Sequence, residues 1–252
     1  VYPRYFNTKN QQALAEKISV LEDGEDALVL SSGMAAITGT LFTFLSQGDH
    51  VVFQSALYGG TIHFIASELN RFGIEYTFVN STRVEDYEKA IRENTKAIYI
   101  ETPSNPLLKI IDLEAMANMA KSKNVLSIID NTFASPVNQN PINWWMDIVI
   151  HSATKYLNGH HDVTAGAVIG SKERIKQIWE TARNLGGNLD ARICYLLERS
   201  MKTLHIRVEK QNENAGQLAQ FLESHQQVGK VNCKAKRGTS GMSLKTTQWR
   251  LR

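Results

Sequence analysis

The sequence predicts an α/β fold, a mostly parallel sheet flanked by helices, and three observations lead there. Short β-branched runs occur at 50–53, 75–79, 97–100, 125–129 and 147–150, and most are separated by stretches of helical periodicity such as 84–93 and 112–123. Strands that alternate with helices in this way build a mostly parallel sheet covered on both faces. The 252 residues are 42% hydrophobic with only 5 prolines, enough apolar material for a large core. Finally, the residues just beyond the runs are rich in chemistry, where an open α/β sheet has its binding crevice.

Taken in order, a strand-like run at 27–30 leads into Ser31-Ser32-Gly33-Met34 and a helix beginning near Met34. Run 50–53 leads to Tyr58-Gly59-Gly60-Thr61, and run 97–100 to Glu101-Thr102-Pro103-Ser104-Asn105-Pro106. Run 125–129 ends on Asp130-Asn131-Thr132, and run 147–150 on His151-Ser152-Ala153-Thr154-Lys155. One rim therefore collects a carboxylate, an amide, an aromatic ring, hydroxyls and a lysine. From Asp190 to about His225 the chain is nearly free of glycine and proline and reads as one long helix, or two with a break near Gly216. The expected division is a large α/β domain over 1–189, then a linker helix and the remnant of a smaller C-terminal domain over 190–252. Segments 228–236 and 238–252 are too short and too basic to form a further domain.

The net charge is +3, with Lys and Arg interspersed among Asp and Glu, so neither nucleic acid nor an anionic membrane is expected as a partner. Cys194 and Cys233 have no C-x-x-C spacing and no histidine at metal-ligand spacing, which argues against a disulfide framework or a zinc site. No apolar run reaches membrane-spanning length and the first residues lack a signal-peptide core, so a cytoplasmic location is expected.

Each candidate residue has a functional and a bland reading. Ser31-Ser32-Gly33-Met34 offers backbone N–H groups, hydroxyls and a helix N-terminus to a phosphate, although a serine N-cap explains the same residues. Asp130, closing an apolar strand, carries a charge that needs a partner: a protonated pyridine nitrogen, or simply a helix cap or an arginine. Lys155 follows a hydroxyl-rich turn and precedes a flexible Asn158-Gly159, where partial desolvation would make it an amine nucleophile rather than a surface charge. His160-His161-Asp162 reads as a solvated loop rather than a metal cluster, because adjacent strand residues face opposite ways. Trp144-Trp145 is expected to pack between helix and sheet, and Cys194 to be a small core residue.

Six motifs in order resemble the Cys/Met-metabolism enzymes that use pyridoxal 5′-phosphate, the group of cystathionine γ-lyase, cystathionine γ-synthase and methionine γ-lyase. They are Tyr2-Pro3-Arg4-Tyr5-Phe6-Asn7, Ser31-Ser32-Gly33-Met34-Ala35-Ala36, Tyr58-Gly59-Gly60-Thr61, Glu101-Thr102-Pro103-Ser104-Asn105-Pro106-Leu107, Ile129-Asp130-Asn131-Thr132-Phe133 and His151-Ser152-Ala153-Thr154-Lys155-Tyr156. The resemblance implies the fold-type I architecture of pyridoxal-phosphate-dependent transferases. It implies that Lys155 carries the cofactor as a Schiff base and shuttles substrate protons, and that Asp130 keeps the pyridine nitrogen protonated. It further implies that Tyr58 stacks on the ring and assists departure of the sulfur group, and that Asn105 contacts the 3-hydroxyl side. Gly33, Met34, Ser152 and Thr154 would grip the phosphate, completed by Tyr2 and Arg4 of a neighbouring subunit. The implied assembly is a homotetramer of active dimers acting on a small amino-acid substrate.

Within the group, methionine γ-lyases usually carry cysteine two residues after the stacking tyrosine, where this chain has Gly60. O-acetylhomoserine sulfhydrylases typically have glutamine where this chain has Met34. The resemblance therefore favours a C–S lyase working by γ-elimination, with γ-replacement as the alternative, over β-elimination. Family members also have a segment before the Tyr-x-Arg motif and a complete C-terminal domain that supplies the arginine for the substrate carboxylate. The chain is thus expected to be a fragment or a sequence with omitted segments, and Arg250 is not assigned that clamp. A non-catalytic cofactor-binding fragment is the rival from another class. A nucleotide-binding module built on Ser31 and Gly33 lacks both glycine-rich nucleotide patterns.

Overall fold

The computed structural model describes residues 1–233 and the backbone of 247–251. The first helix, α1 (Lys9–Leu21), starts at a capping box in which Thr8 accepts from the Gln11 amide and the Gln11 side chain accepts from the Thr8 amide. There follow β1 (Asp26–Leu30), α2 (Gly33–Phe44), β2 (His50–Gln54), α3 (Gly59–Glu68), β3 (Glu75–Val79), α4 (Val84–Ala90) and β4 (Thr95–Glu101). The chain continues through α5 (Leu113–Ser122), β5 (Leu126–Asp130), α6 (Ser135–Asn138), β6 (Ile148–His151), β7 (Gly166–Gly170) and α7 (Lys172–Leu185). Last come α8 (Ala191–Met201), α9 (Leu204–Glu223) and an antiparallel pair, β8 (Val228–Cys233) with β9 (Thr247–Leu251).

The main sheet has seven strands in the order β1-β7-β6-β5-β4-β2-β3. Strands β2 to β6 are all parallel to one another, while β7 runs antiparallel to both β1 and β6. Two reversals leave β1 pointing the same way as β6. The carboxyl ends of β1, β2, β4, β5 and β6 therefore open on one rim. All the expected β-branched runs are strands, and the expected α/β class holds.

Both faces of the sheet are buried, as parallel strands require. Alternate residues sort to opposite sides: Val29, Ile98, Ile100, Ile129 and Val149 face one core, and Leu28, Tyr99, Ile128, Ile148 and Ile150 the other. Among the buried polar groups, His50 ties three strands together. Its Nδ1 meets Thr95 Oγ1 at 2.8 Å and its Nε2 meets Thr77 Oγ1 at 2.9 Å.

Several expectations need correction. Strand β7 was not anticipated, because Gly-Ala-Val-Ile-Gly is short and flanked by glycines rather than strand formers. Helix α4 stops at Ala90 rather than residue 93, since Ile91 is already extended. The long C-terminal helix breaks between Met201 and Leu204, and Gly216 lies inside α9. The break has a physical cause: the Arg207 guanidinium takes the Ser200 carbonyl at 3.1 Å and Thr203 Oγ1 at 3.1 Å, satisfying the end of α8. Trp144 packs against the core as expected, but Trp145 adopts a left-handed backbone and is exposed. Cys194 is a fully buried core residue. Segment 228–236, expected to be too short and too basic to form a further domain, supplies β8 over Val228–Cys233. Residues 234–246 and the side chains of Cys233 and Arg250 lie outside the described residues. No helix among the described residues is long and apolar enough to cross a membrane.

Gly166 is where β7 touches the start of α2. A Cβ there would lie 2.0 Å from the Ser32 carbonyl oxygen and 3.0 Å from the Gly33 nitrogen, both backbone atoms with no rotamer to yield. Gly166→Ala is therefore expected to destabilise the protein by about 3 kcal/mol, the upper range for overpacking, measured by urea unfolding. A loss below about 0.5 kcal/mol, the range of a neutral surface change, would show that the two backbones are not in contact.

Candidate active site

A cavity of about 580 Å³ opens at the rim, lined by Gly33, Tyr58, Asn105, Asp130, Ser152 and Lys155 among others. The order of strands explains the meeting. Gly33 and Met34 follow β1, Tyr58 follows β2, Asn105 follows β4, Asp130 closes β5, and Ser152, Thr154 and Lys155 follow β6.

One end of the cavity suits an anion. Ser32 caps α2 by accepting from the Ala35 amide at 3.0 Å, while the amides of Gly33 and Met34 make no hydrogen bond among the described residues. These are the unpaired N–H groups of a helix start, where the helix dipole also favours negative charge. Gly33 is needed because a Cβ would meet Ser152 Cβ at 2.8 Å. The Ser152 hydroxyl lies beside this point, whereas the Thr154 hydroxyl already donates to the Ala165 carbonyl at 3.1 Å and accepts from the Ala165 amide at 3.0 Å.

The other end suits a cation. Asp130 is buried, and its hydrogen bond among the described residues comes from the Thr132 amide at 3.0 Å. Burial pushes its carboxyl above the usual range, opposed by Thr132 and by the positive charge of His151. In register with it on β4 stands Glu101, whose carboxylate oxygens accept from the Tyr58 amide at 2.9 Å and the Asn105 amide at 3.1 Å. Burial, and then the neighbouring Asp130 charge, push Glu101 up to about 8. The Tyr99 phenol on the same face is raised well above its ordinary range, by burial first and then by the two carboxylates.

Lys155 sits on the turn after β6, exposed toward the cavity, and its ammonium makes no hydrogen bond or ion pair among the described residues. The Asn158-Gly159 pair, expected to be flexible, is tied into the turn by hydrogen bonds. Asn158 is buried and donates through its side chain to Asp162 at 2.9 Å, and Gly159, at φ +77°, donates its amide to the Lys155 carbonyl at 2.7 Å. The Tyr58 ring folds over Gly60: a Cβ at that position would lie 2.5 Å from the ring.

Tyr2 and Arg4 do not reach this cavity. The Arg4 guanidinium donates to the Arg183 carbonyl at 2.7 Å and packs against the rings of Tyr2 and Tyr5 at 5.4 and 4.8 Å. No group of histidines, cysteines and carboxylates among the described residues could hold a metal ion, and His161 lies on a left-handed loop facing the cavity. Glu101 is the site residue without an assigned role in the sequence. Its position at a strand end flagged it, but only the β4–β5 register brings it beside Asp130.

The family model for Cys/Met metabolism PLP-dependent enzymes matches residues 1–250. A cystathionine gamma-lyase of Bacillus subtilis (strain 168) is 47% identical, over 97% of this chain and 65% of its own length. A cystathionine beta-lyase MetC of the same organism is 44% identical, over 89% of this chain and 57% of its own. The crystal structure of cystathionine gamma-lyase from Lactobacillus plantarum complexed with L-serine matches with a TM-score of 0.94 at 36% identity, covering 100% of this chain and 68% of that one. The chain spans less than two thirds of the length of these curated relatives. With the rim geometry, the motif order and a match along almost its whole length, the chain belongs to the Cys/Met metabolism PLP-dependent enzyme family.

Proposed function

We propose that the protein is a pyridoxal-phosphate-dependent carbon–sulfur lyase acting on sulfur amino acids by γ-elimination. The observation that carries this reading is the convergence of Lys155, Asp130 and the unpaired Gly33 and Met34 amides on one cavity. The residues fit the cofactor: an anion-binding helix start for its phosphate, a buried carboxylate for its pyridinium, and an uncommitted amine for its aldehyde. When bound, the cofactor supplies an electron sink for a carbanion next to the amino group.

The remaining chemistry belongs to the chain's own side chains. Lys155 holds the cofactor through its amine and moves protons at the α- and β-carbons of the substrate. Asp130 holds the pyridine nitrogen's proton, and Asn105 orients the ring from the β4 side. Tyr58 covers the cavity and protonates the departing sulfur. The Gly33 and Met34 amides and the Ser152 hydroxyl grip the phosphate. Thr154 braces the turn through Ala165, and its hydroxyl joins the grip only by sharing that oxygen. Tyr2 and Arg4 act across a subunit boundary, a reading supported by the exposure of Tyr2 and by the absence of both side chains from the lining of their own chain's cavity. The corresponding assembly is a tetramer of active dimers. Residues 1–189 form the cofactor-binding unit and 190–252 open a second one.

The small residue at Gly60, packed under the Tyr58 ring, supports a cystathionine-type reaction. Identity to the β-lyase relative is close to that of the γ-lyase relative, so reaction position is decided by product analysis. Incubation with cystathionine is expected to release cysteine and 2-oxobutanoate. Release of homocysteine and pyruvate would replace γ- with β-elimination.

Three outcomes test the roles. Lys155→Ala should lower turnover by at least about 10²- to 10⁴-fold, the usual share of a general acid–base group. It should also leave no borohydride-fixed cofactor on that peptide; retained turnover ends the assignment. Arg4→Ala should weaken cofactor retention about 10- to 100-fold, the worth of one or two charge-assisted hydrogen bonds. Mixed with Lys155→Ala, it should regain activity in hybrid dimers, and no regain would place Arg4 outside the partner's site. Glu101, pushed up to about 8 from 4.5, keeps a proton in the folded chain that the unfolded chain releases. The stability this group contributes is present below pH 4.5 and lost as pH rises toward about 8. Glu101→Gln should flatten the decline of urea stability of the cofactor-free chain over that interval, and an unchanged slope would mean that Glu101 titrates normally.

A further inference from the structure

Behind Asp130, on the other face of the sheet, lies a buried acid–base couple that the chemistry above does not use. Glu22 Oε1 makes a short contact with His151 Nε2, and both side chains are removed from solvent. Asn131, next to Asp130 in the chain, donates Nδ2 to the same Glu22 oxygen at 2.7 Å and to the Gln139 carbonyl at 2.9 Å. Gln139 returns the bond through its own amide to Asn131 Oδ1 at 2.8 Å, which locks the orientation of the group.

The placement of Glu22 is costly. It caps the C-terminal end of α1, where the helix dipole disfavours an anion, and its second oxygen is buried without a partner. A purely structural position there would be filled more stably by a neutral side chain. His151 is the next residue after Ile150, the register partner of Asp130, so its imidazole sits one residue along on the adjacent strand. Inside the sheet a charge at that separation is screened far less than in water.

We propose that Glu22 and His151 are positioning residues that act through Asp130: Glu22 holds an imidazolium at His151, and that cation keeps Asp130 an anion, able to hold the proton on the pyridine nitrogen of the cofactor. The inference rests on the function proposed above and extends it to the opposite face of the sheet. The other groups that face Asp130 are Tyr99 and Glu101 on β4 and Thr132 at the end of β5. Glu101 opposes its ionisation as a neighbouring acid, whereas the Tyr99 phenol and Thr132 assist it. His151 is the cation among these neighbours. Burial has raised the Asp130 carboxyl above its usual range, and the His151 charge works against that rise.

The test uses the full chain loaded with pyridoxal phosphate carrying an isotopic label at the pyridine nitrogen, whose NMR shift reports whether that nitrogen is protonated. Glu22→Gln and His151→Asn are each expected to lower the pH at which the nitrogen loses its proton by about one unit or more, a tenfold or greater loss of proton affinity. A merely structural role would change the unfolding midpoint without moving this titration, and that result in both variants overturns the proposal. If one variant fails to fold, the other decides. Asp130→Asn separates the two levels of inference. If Asp130→Asn strips the proton while both outer variants titrate like the parent, only the Glu22–His151 proposal falls. If Asp130→Asn leaves the titration unchanged, or the parent chain takes up no cofactor, the functional reading falls with it.

Discussion

A carboxylate buried at the end of a central strand is the constraint around which the rim is organised. Taking the Asp130 charge out of water costs several kcal/mol unless it is matched, and its described hydrogen bond comes from the Thr132 amide. Parallel strands end side by side, so the fold places a second carboxyl, Glu101, in register with the first. Two buried acids abreast cannot both ionise cheaply. Glu101, tied to the Tyr58 and Asn105 amides, is pushed up to about 8 and gives way, which leaves Asp130 as the negative end of the cavity. The same pair of amides belongs to the loops after β2 and β4, so resolving the charge conflict also fixes the walls of the site.

The positive end is built from backbone rather than side chains. Helix α2 can point its first amides into the cavity because the chain around it has been pared to glycine where it must pass close. Gly166 lets β7 lie against the Ser32 carbonyl, and Gly33 lets the helix start lie against Ser152. Thr132 links the two ends: its amide donates to Asp130 at 3.0 Å and its hydroxyl accepts from the Ser152 amide at 2.7 Å. A shift of either end is felt by the other through a single residue.

Much of this was legible in the sequence, and the limits of legibility are physical. Strand ends could be found because both faces of a parallel sheet are apolar, so a sudden polar residue such as Asp130 or Glu101 marks the rim. The glycine-bounded β7 escaped, since its reason for being a strand is pairing on both sides rather than any propensity of its own. The Glu22–His151 couple was invisible for a similar reason. Its members are 129 residues apart, and Glu22 reads as an ordinary charge at a helix end until the fold buries it. Tyr2 and Arg4 could be named only through a motif, because neither lines the cavity of its own chain.

The placement of Lys155 depends on a contact that no local pattern announces. The Arg207 guanidinium, reaching from α9, binds the carbonyls of Tyr156 at 2.9 Å and Leu157 at 3.4 Å, immediately after the lysine. It sits so close to Gly159 that a Cβ there would lie 1.9 Å from it. The same guanidinium closes the end of α8 at Ser200. Lys155 is therefore referenced to the helix pair that leaves the sheet as well as to β6. A displacement of α9 would be transmitted through Arg207 to the lysine before it disturbed the sheet, because the sheet is held by strand pairing while the turn is held by this one side chain and a few local bonds. In a site whose chemistry requires an amine to reach neighbouring carbons in turn, such a link makes the geometry of the C-terminal helices part of the geometry of the site.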